Sequence, residues 1–297
     1  MRVNPDYAND ILNSIWQTQQ QEHTATEQLA TGKRVNMPSD DPTAAGEDVE
    51  NQAIQSQVDQ YLSNTTDLEG LLQTGDSTLS SVVSALNQAV SLGTEGANAG
   101  MSSSNLQAIA QQVQGIQSQM LQLANTSYQG NYIFAGTKTN TVPYTVNGAL
   151  ADGVQYNGNT EQNSVEIAEG RSVQVNLPGS QIFQNAGGDV FGALQQLITA
   201  LQSGDSTAIG TATDQVTSAL NAVSEQRVFY GNSINQLTAN QTSLQQEKVD
   251  LQSQENNLVG ADMATAATDL SQAQTTDQAA LAALAKVIPV NLLDYLQ

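Results

Sequence analysis

The sequence predicts a mainly α protein: a long antiparallel helical bundle, or coiled-coil rod, built by N- and C-terminal arms, with a small β-rich insertion at its centre. Three observations lead there. In the first arm Ile54, Val58, Tyr61, Thr65, Leu68, Leu72, Gly75, Leu79, Val82, Leu86 and Ala89 recur at steps of mostly three and four. The second arm repeats the pattern with Val216, Leu220, Val223, Arg227, Tyr230, Ile234, Leu237, Gln241, Leu244, Lys248, Leu251, Glu255 and Leu258. A period near 3.5 residues held this long belongs to helices packed along a narrow seam. Between the arms, short runs of aromatic and β-branched residues alternate with Gly, Pro and Asn, as strands and turns do.

Residues 1–31 read as a weak helix with Ile11, Leu12, Ile15 and Trp16 on one side, ended by Gly32 as a left-handed cap. In Ser39-Asp40-Asp41-Pro42, Asp41 suits an N-cap and Pro42 the first helical position, where its missing N–H costs nothing. From Thr43 to about Leu92 the seam predicts one helix of about 75 Å. Gly93 to Ser104 reads as a turn or short loop. Leu106, Ile109, Val113, Ile116, Met120 and Leu123 predict a third helix ending near Asn125.

The composition then changes. Asn131 to Gly136, Pro143 to Val146 before the Asn147-Gly148 turn, Val165 with Ile167, and Val173 with Val175 and Leu177 predict strands. A brief helix over Val190, Leu194, Leu197, Ile198 and Leu201 precedes the second arm, expected to start near Thr207. The Ala-rich end after Gly260 carries Leu281, Leu284, Ile288, Leu292, Leu293 and Leu296, an apolar face that only the apolar side of residues 3–16 is placed to cover. The expected organisation is terminal helices at 1–42 and 259–297, disordered in the free monomer; a helical rod at 43–130 and 185–258; and a β-rich outer part at 131–184.

Charge narrows the function. Eight Lys and Arg stand against 29 Asp and Glu, a net charge of −21, and the largest basic cluster is the pair Lys33–Arg34. Nucleic-acid binding needs cations to neutralise phosphates, and anionic membranes need the same. Neither is expected as a partner. Charged residues make up only 12% of the chain against roughly 25% in an average protein, so Gln, Asn, Ser and Thr supply the polar surface. Such surface is less costly to bury against other subunits than charge is.

Chemistry is equally sparse. Cysteine is absent, which removes disulfides, thiol catalysis and Cys-ligated metals. His23, the single histidine, sits in a polar helical stretch, and no Gly-x-Ser-x-Gly elbow, P-loop or dinucleotide fingerprint accompanies it. Asp40, Asp41, Glu47, Asp48 and Glu50 suit the positive end of a helix better than a metal site. No catalytic, cofactor-binding or metal-ligating residue is nominated. The N-terminus has no basic segment followed by an apolar run, so no cleaved signal peptide is expected. The apolar stretch from Ala279 to Leu293, interrupted by Lys286 and Pro289, is too short to span a bilayer.

The run Leu29-Ala30-Thr31-Gly32-Lys33-Arg34-Val35-Asn36-Met37-Pro38-Ser39-Asp40-Asp41-Pro42-Thr43-Ala44-Ala45 resembles the N-terminal hallmark of the bacterial flagellin superfamily. Its two prolines make it more similar to the members that join hook to filament than to filament flagellin. Residues 132–136, Gln181-Ile182-Phe183 and Asn291 to Leu296 agree with the resemblance. It implies a structural, non-catalytic subunit exported unfolded through the flagellar type III apparatus, with an N-terminal export segment near residues 1–30. It also implies terminal helices that order only in the assembly, and a location at the extracellular hook–filament junction. The implied partners are copies of the chain itself, the hook-side junction protein, filament flagellin and an export chaperone. Gly32, Arg34, Pro38, Asp40, Asp41, Pro42, Ile11 and Ile15 are then the candidate assembly residues, with the apolar C-terminal set. Two alternatives remain open at this point: filament flagellin itself, and a non-flagellar tethering or signalling coiled coil, which would keep its helix through the centre.

Overall fold

The computed structural model describes the backbone of residues 6–98 and 100–293, and the side chains of 9–98 and 100–285. The chain is mainly α. Helices α1 (Asp6–Thr31), α2 (Pro42–Gly96) and α3 (Ser103–Ala124) precede six short strands: β1 (Ser127–Tyr128), β2 (Asn131–Tyr132), β3 (Tyr144–Val146), β4 (Val154–Tyr156), β5 (Ser164–Ala168) and β6 (Arg171–Gln174). Helix α4 (Gly179–Phe183), strands β7 (Gln184–Asn185) and β8 (Gly188–Asp189), and helices α5 (Val190–Ser203), α6 (Ser206–Val259) and α7 (Met263–Leu293) complete it. Two compact units result: one runs to Val58 and resumes at Gln246, and the other spans Asp59–Gln245.

Aspartates cap α2, α5, α6 and α7, as the positive end of a helix dipole favours, and Ser102 caps α3. Asp41 Oδ1 accepts from Ala44 N at 3.1 Å, Asp189 Oδ1 from Gly192 N at 3.0 Å, Asp205 Oδ1 from Thr207 N at 2.9 Å, and Asp262 Oδ1 from Ala264 N at 2.9 Å. Gly204 closes α5 with a φ of 75°, a backbone that only glycine adopts freely.

Within the unit 59–245, α2 and α6 run antiparallel: Gly75 faces Tyr230, and Gly93 faces Thr213. Leu72, Leu79, Val82, Leu86, Val216, Val223 and Leu237 are sealed from solvent between them. Asp76 and Arg227 form a bidentate pair at 2.9 and 3.1 Å beside this seam. Helix α3 packs on α5.

The strands form four separate antiparallel hairpins, β1–β2, β3–β4, β5–β6 and β7–β8. Tyr144 and Ile167 of these strands, Phe134 of the chain after β2, and Ile182 and Phe183 of α4 share one core with Met120 of α3, Phe191 and Leu194 of α5, and the α2–α6 seam. Phe134 meets Phe183 edge-on at 5.4 Å between ring centres. Asn125 joins α3 to β3 with two bonds, one to Tyr144 O and one from Tyr144 N, both 2.8 Å. Asn240 of α6 donates to Ile167 O of β5 at 2.7 Å.

Three expectations are corrected here. The strand read over Asn131–Gly136 stops at Tyr132, and Ile133, Phe134 and Ala135 enter the core as irregular chain. The strand read through Val173, Val175 and Leu177 ends at Gln174. Ile54 is 39% exposed instead of lying in the seam, which polar Asn51 continues at 3%. Asn51 Nδ2 donates to Leu251 O at 2.9 Å, which anchors the amine end of the buried amide on the facing helix, while its Oδ1 finds no partner among the described residues.

Candidate assembly site

The run Gly32–Pro42 forms a joint at which two chain reversals lock together. Gly32 ends α1 with a φ of 70°, and its N–H closes on Gln28 O at 2.9 Å. The chain then lies beside the end of α6. Lys33 pairs with Gly260 as an antiparallel bridge, Arg34 N donates to Val259 O at 2.6 Å, and Ala261 N donates to Gly32 O at 2.9 Å. A Cβ at Gly260 would strike the carbonyl of Asn256, so the crossing point requires glycine.

Each polar residue of the motif has a separate task. Arg34 donates to Leu258 O at 2.9 Å and to Asp41 Oδ2 at 3.2 Å, which ties the end of α6 to the start of α2. Asp40 Oδ2 accepts from Asn36 N at 3.0 Å and Met37 N at 2.9 Å, folding the loop over itself. Asp41 caps α2, and Pro42 takes its first position. Pro38 is exposed at the loop tip. Beneath the loop, Val35, Ala44 and Val259 form a small buried cluster flanked by Ala45 and Leu258.

A charge cluster fastens the same place. Lys33 Nζ lies 2.9 Å from Glu255 Oε1 and 4.0 Å from Asp48 Oδ2, while Gln55 Nε2 donates to Glu255 Oε2 at 3.1 Å. The bond to Lys33, aided by Gln55, holds the Glu255 carboxyl below its ordinary range, and the same bond raises the Lys33 ammonium. The Ala44 N–H and then Arg34 lower Asp41. These residues bind one another. Among the described residues no group of three or more acidic or His side chains is arranged to hold a metal, and no helix is long and apolar enough to cross a membrane.

From the joint, α1 and α7 leave side by side and pack against each other. Ile15, Thr18 and Ala25 of α1 and Ala266 and Ala273 of α7 are buried there. Ile11 is half-buried, whereas Trp16 is 71% exposed and Leu12 and Leu281 are also uncovered. Leu284 is half-buried. The side chains of Ile288, Leu292 and Leu293, and Leu296 altogether, lie outside the described residues. Of the seam candidates, Val58, Leu68, Leu72, Leu79, Leu86, Val216, Val223, Leu237 and Leu244 are buried, while Tyr61, Leu220, Ile234, Leu251 and Leu258 are half-buried. Sequence reasoning did not single out Asn51, Glu255, Val259 or Gly260 as parts of the joint. Glu255 stood in the sequence only as a polar position in the period of the second arm, with nothing local to point to Lys33.

Family models for the N- and C-terminal helical regions of bacterial flagellin match residues 6–139 and 213–296. The chain belongs to the bacterial flagellin family. Over 160 residues it is 34% identical to flagellar hook-associated protein 3 of Escherichia coli strain K12, covering 54% of this chain and 49% of that protein. The same protein of Salmonella typhimurium matches at the same identity and coverage, so the chain spans about half the length of the curated relatives it matches. The fold is similar to that of Bacillus cereus FlgL, at a TM-score of 0.60 and 25% identity over 70% of this chain and 99% of that one. The flagellar junction protein FlgL of Legionella pneumophila shares the fold, with a TM-score of 0.60 at 15% identity over 72% and 100% of the two chains.

Proposed function

We propose that this flagellin-family chain is a structural subunit of the hook–filament junction, with no catalytic role. The observation that carries this reading is the 34% identity to two proteins named hook-associated protein 3. In the proposal, residues 1–42 and 259–297 are the assembly helices, 43–130 and 185–258 the helical body, and 131–184 the outward part. The exposed Trp16, Leu12 and Leu281 supply the driving force, since apolar area gains ~25 cal/mol per Å² when neighbouring subunits cover it. Its partners are copies of itself, a hook-side junction protein and filament flagellin, with a chaperone before export through the flagellar apparatus. Its place is outside the cell.

The joint supports this reading physically. Arg34, Asp41 and the Lys33–Glu255 pair fix where α1 and α7 leave the ends of α2 and α6, so that a neighbour meets a defined surface. Two measurements test the function. Deleting the gene is expected to leave hooks without filaments while flagellin is released to the medium. Purified chain is expected to add to isolated hooks only when they carry the hook-side junction protein, and not to grow by itself; long filaments from the pure chain would make it a filament flagellin instead.

A further inference from the structure

We propose that Asn147 is a site of spontaneous deamidation, a covalent modification that the fold permits there and blocks at the second Asn-Gly step of the chain. The two steps, Asn147-Gly148 and Asn157-Gly158, carry the same local chemistry within one hairpin region. Strand β3 ends at Val146 and β4 begins at Val154, so Asn147 and Gly148 lie in the connecting turn.

The reaction needs three things: a backbone N–H free to move, an open approach to the side-chain amide, and a carbonyl ready to accept electron density. Gly148 is exposed, a Cβ placed on it would meet nothing within 4 Å, and its N–H has no acceptor among the described residues. Asn147 Oδ1 accepts from Ala149 N at 3.1 Å, an Asx turn that polarises the Cγ=O bond toward attack. Asn147 Nδ2, the leaving group, donates to Oε1 of the exposed Gln155 at 3.1 Å.

The step balances without a cofactor. Gly148 N bonds to Asn147 Cγ, the Cγ–Nδ2 bond breaks, and the nitrogen leaves as ammonia carrying the glycine proton. Water then adds across either imide C–N bond. One opening gives aspartate. The other gives isoaspartate, which places an additional carbon in the backbone and carries the same new negative charge. The additional carbon enters the turn that the register Val146↔Val154 and the bond Asn147 N→Gly153 O at 2.9 Å close.

Asn157-Gly158 is held instead. The backbone bonds of Asn147 stay within its own turn, through Gly153 O and Leu150 N, whereas Asn157 N donates to Pro143 O at 2.8 Å, its Nδ2 to Thr145 Oγ1 at 3.0 Å, and Asn159 N to Ala135 O at 3.2 Å, which fixes this step to chain outside the turn. A Cβ at Gly158 would meet the Tyr156 hydroxyl and, at 2.8 Å, Ala135 O. Cyclisation there must first open this segment.

The test is a time course of the full-length chain in mildly alkaline buffer, with peptide mapping by mass spectrometry and an isoaspartate assay, run beside the same chain in concentrated urea. In urea the two steps are expected to react at similar rates. In the folded chain Asn147 should deamidate at least about tenfold faster than Asn157, equivalent to ~1.4 kcal/mol of barrier. Gly148→Ala, which the open space accommodates, should slow the Asn147 reaction by a comparable factor without changing circular dichroism. Equal rates at the two steps in the folded chain, or faster reaction at Asn157, would overturn the proposal. So would an Asn147 that is stable when folded but reactive in urea.

Discussion

Gly75→Ala and Gly231→Ala add the same methyl group to the same kind of site, a helix interior, and the structure gives them opposite signs. In both, replacing glycine removes backbone freedom from the unfolded chain and favours the helix by about 0.8–1 kcal/mol. At Gly231 of α6 the new Cβ meets nothing within 4 Å, so that gain stands and the variant should be stabilised by about 0.5–1 kcal/mol. At Gly75 of α2 the Cβ collides with the Tyr230 ring, closest to Cε1 and then at 3.0 Å from Cδ1 and 3.1 Å from Cζ. The ring is only 3% exposed and has little room to retreat. Overpacking a core costs typically about 1–3 kcal/mol. A collision with three atoms of a sealed ring takes the upper half of that range, about 2–3 kcal/mol, which outweighs the helix gain and leaves Gly75→Ala about 1–2 kcal/mol less stable than the wild type. Urea unfolding followed by far-ultraviolet circular dichroism reads both as shifts of the midpoint at constant slope. Adding Tyr230→Leu to Gly75→Ala should cost less than the two single losses added together, because the second change removes the clash created by the first. A midpoint for Gly75→Ala at or above that of Gly231→Ala would refute this account of the α2–α6 contact.

The joint offers further tests. Arg34→Ala removes the donors to Leu258 O and Asp41 Oδ2, and limited proteolysis should then cut within 32–41 and 260–262 first, with the unit 59–245 unaffected; an unchanged cleavage pattern would count against the tie. The Lys33–Glu255 pair has a defined pH window. Glu255 is lowered from an ordinary value near 4.5, so its contribution is complete above that pH and is lost as pH falls through the lower folded value. Lys33 is raised from near 10.5, so its contribution is complete below that pH and is lost as pH rises through the higher folded value. Solvent screens a pair this exposed, so Glu255→Gln should cost about 0.2–1 kcal/mol at neutral pH and flatten the acid limb of a stability–pH curve. For Asp76 and Arg227, each about a third exposed but bidentate, a double-mutant cycle should give a coupling near the top of the surface range, about 1 kcal/mol.

Much of the fold was legible in one dimension because helices and caps are local. The seam period identified both long arms, and Asp41-Pro42 marked the start of α2 to the residue. Gly32 was legible as the end of α1 because a left-handed cap strongly prefers glycine. The short motif beside it identified the family. The sequence could not decide which residues face inward where polar and apolar side chains compete. Ile54 lost its seam position to Asn51 because the carbonyl of Leu251, two hundred residues away, was there to accept a hydrogen bond. Nor could it show that Ile133 to Ala135 reach the core without strand pairing, since Phe134 packs on Phe183, which in turn packs on Tyr144, and these rings meet only in the folded chain. The partners of Lys33 and Arg34 were hidden for the same reason. Periodicity and capping depend on neighbours within a few positions, and the sequence alone determined those. The joint of Gly32–Asp41 with Glu255–Gly260 depends on contacts across more than two hundred residues, and only tertiary structure could bring them together.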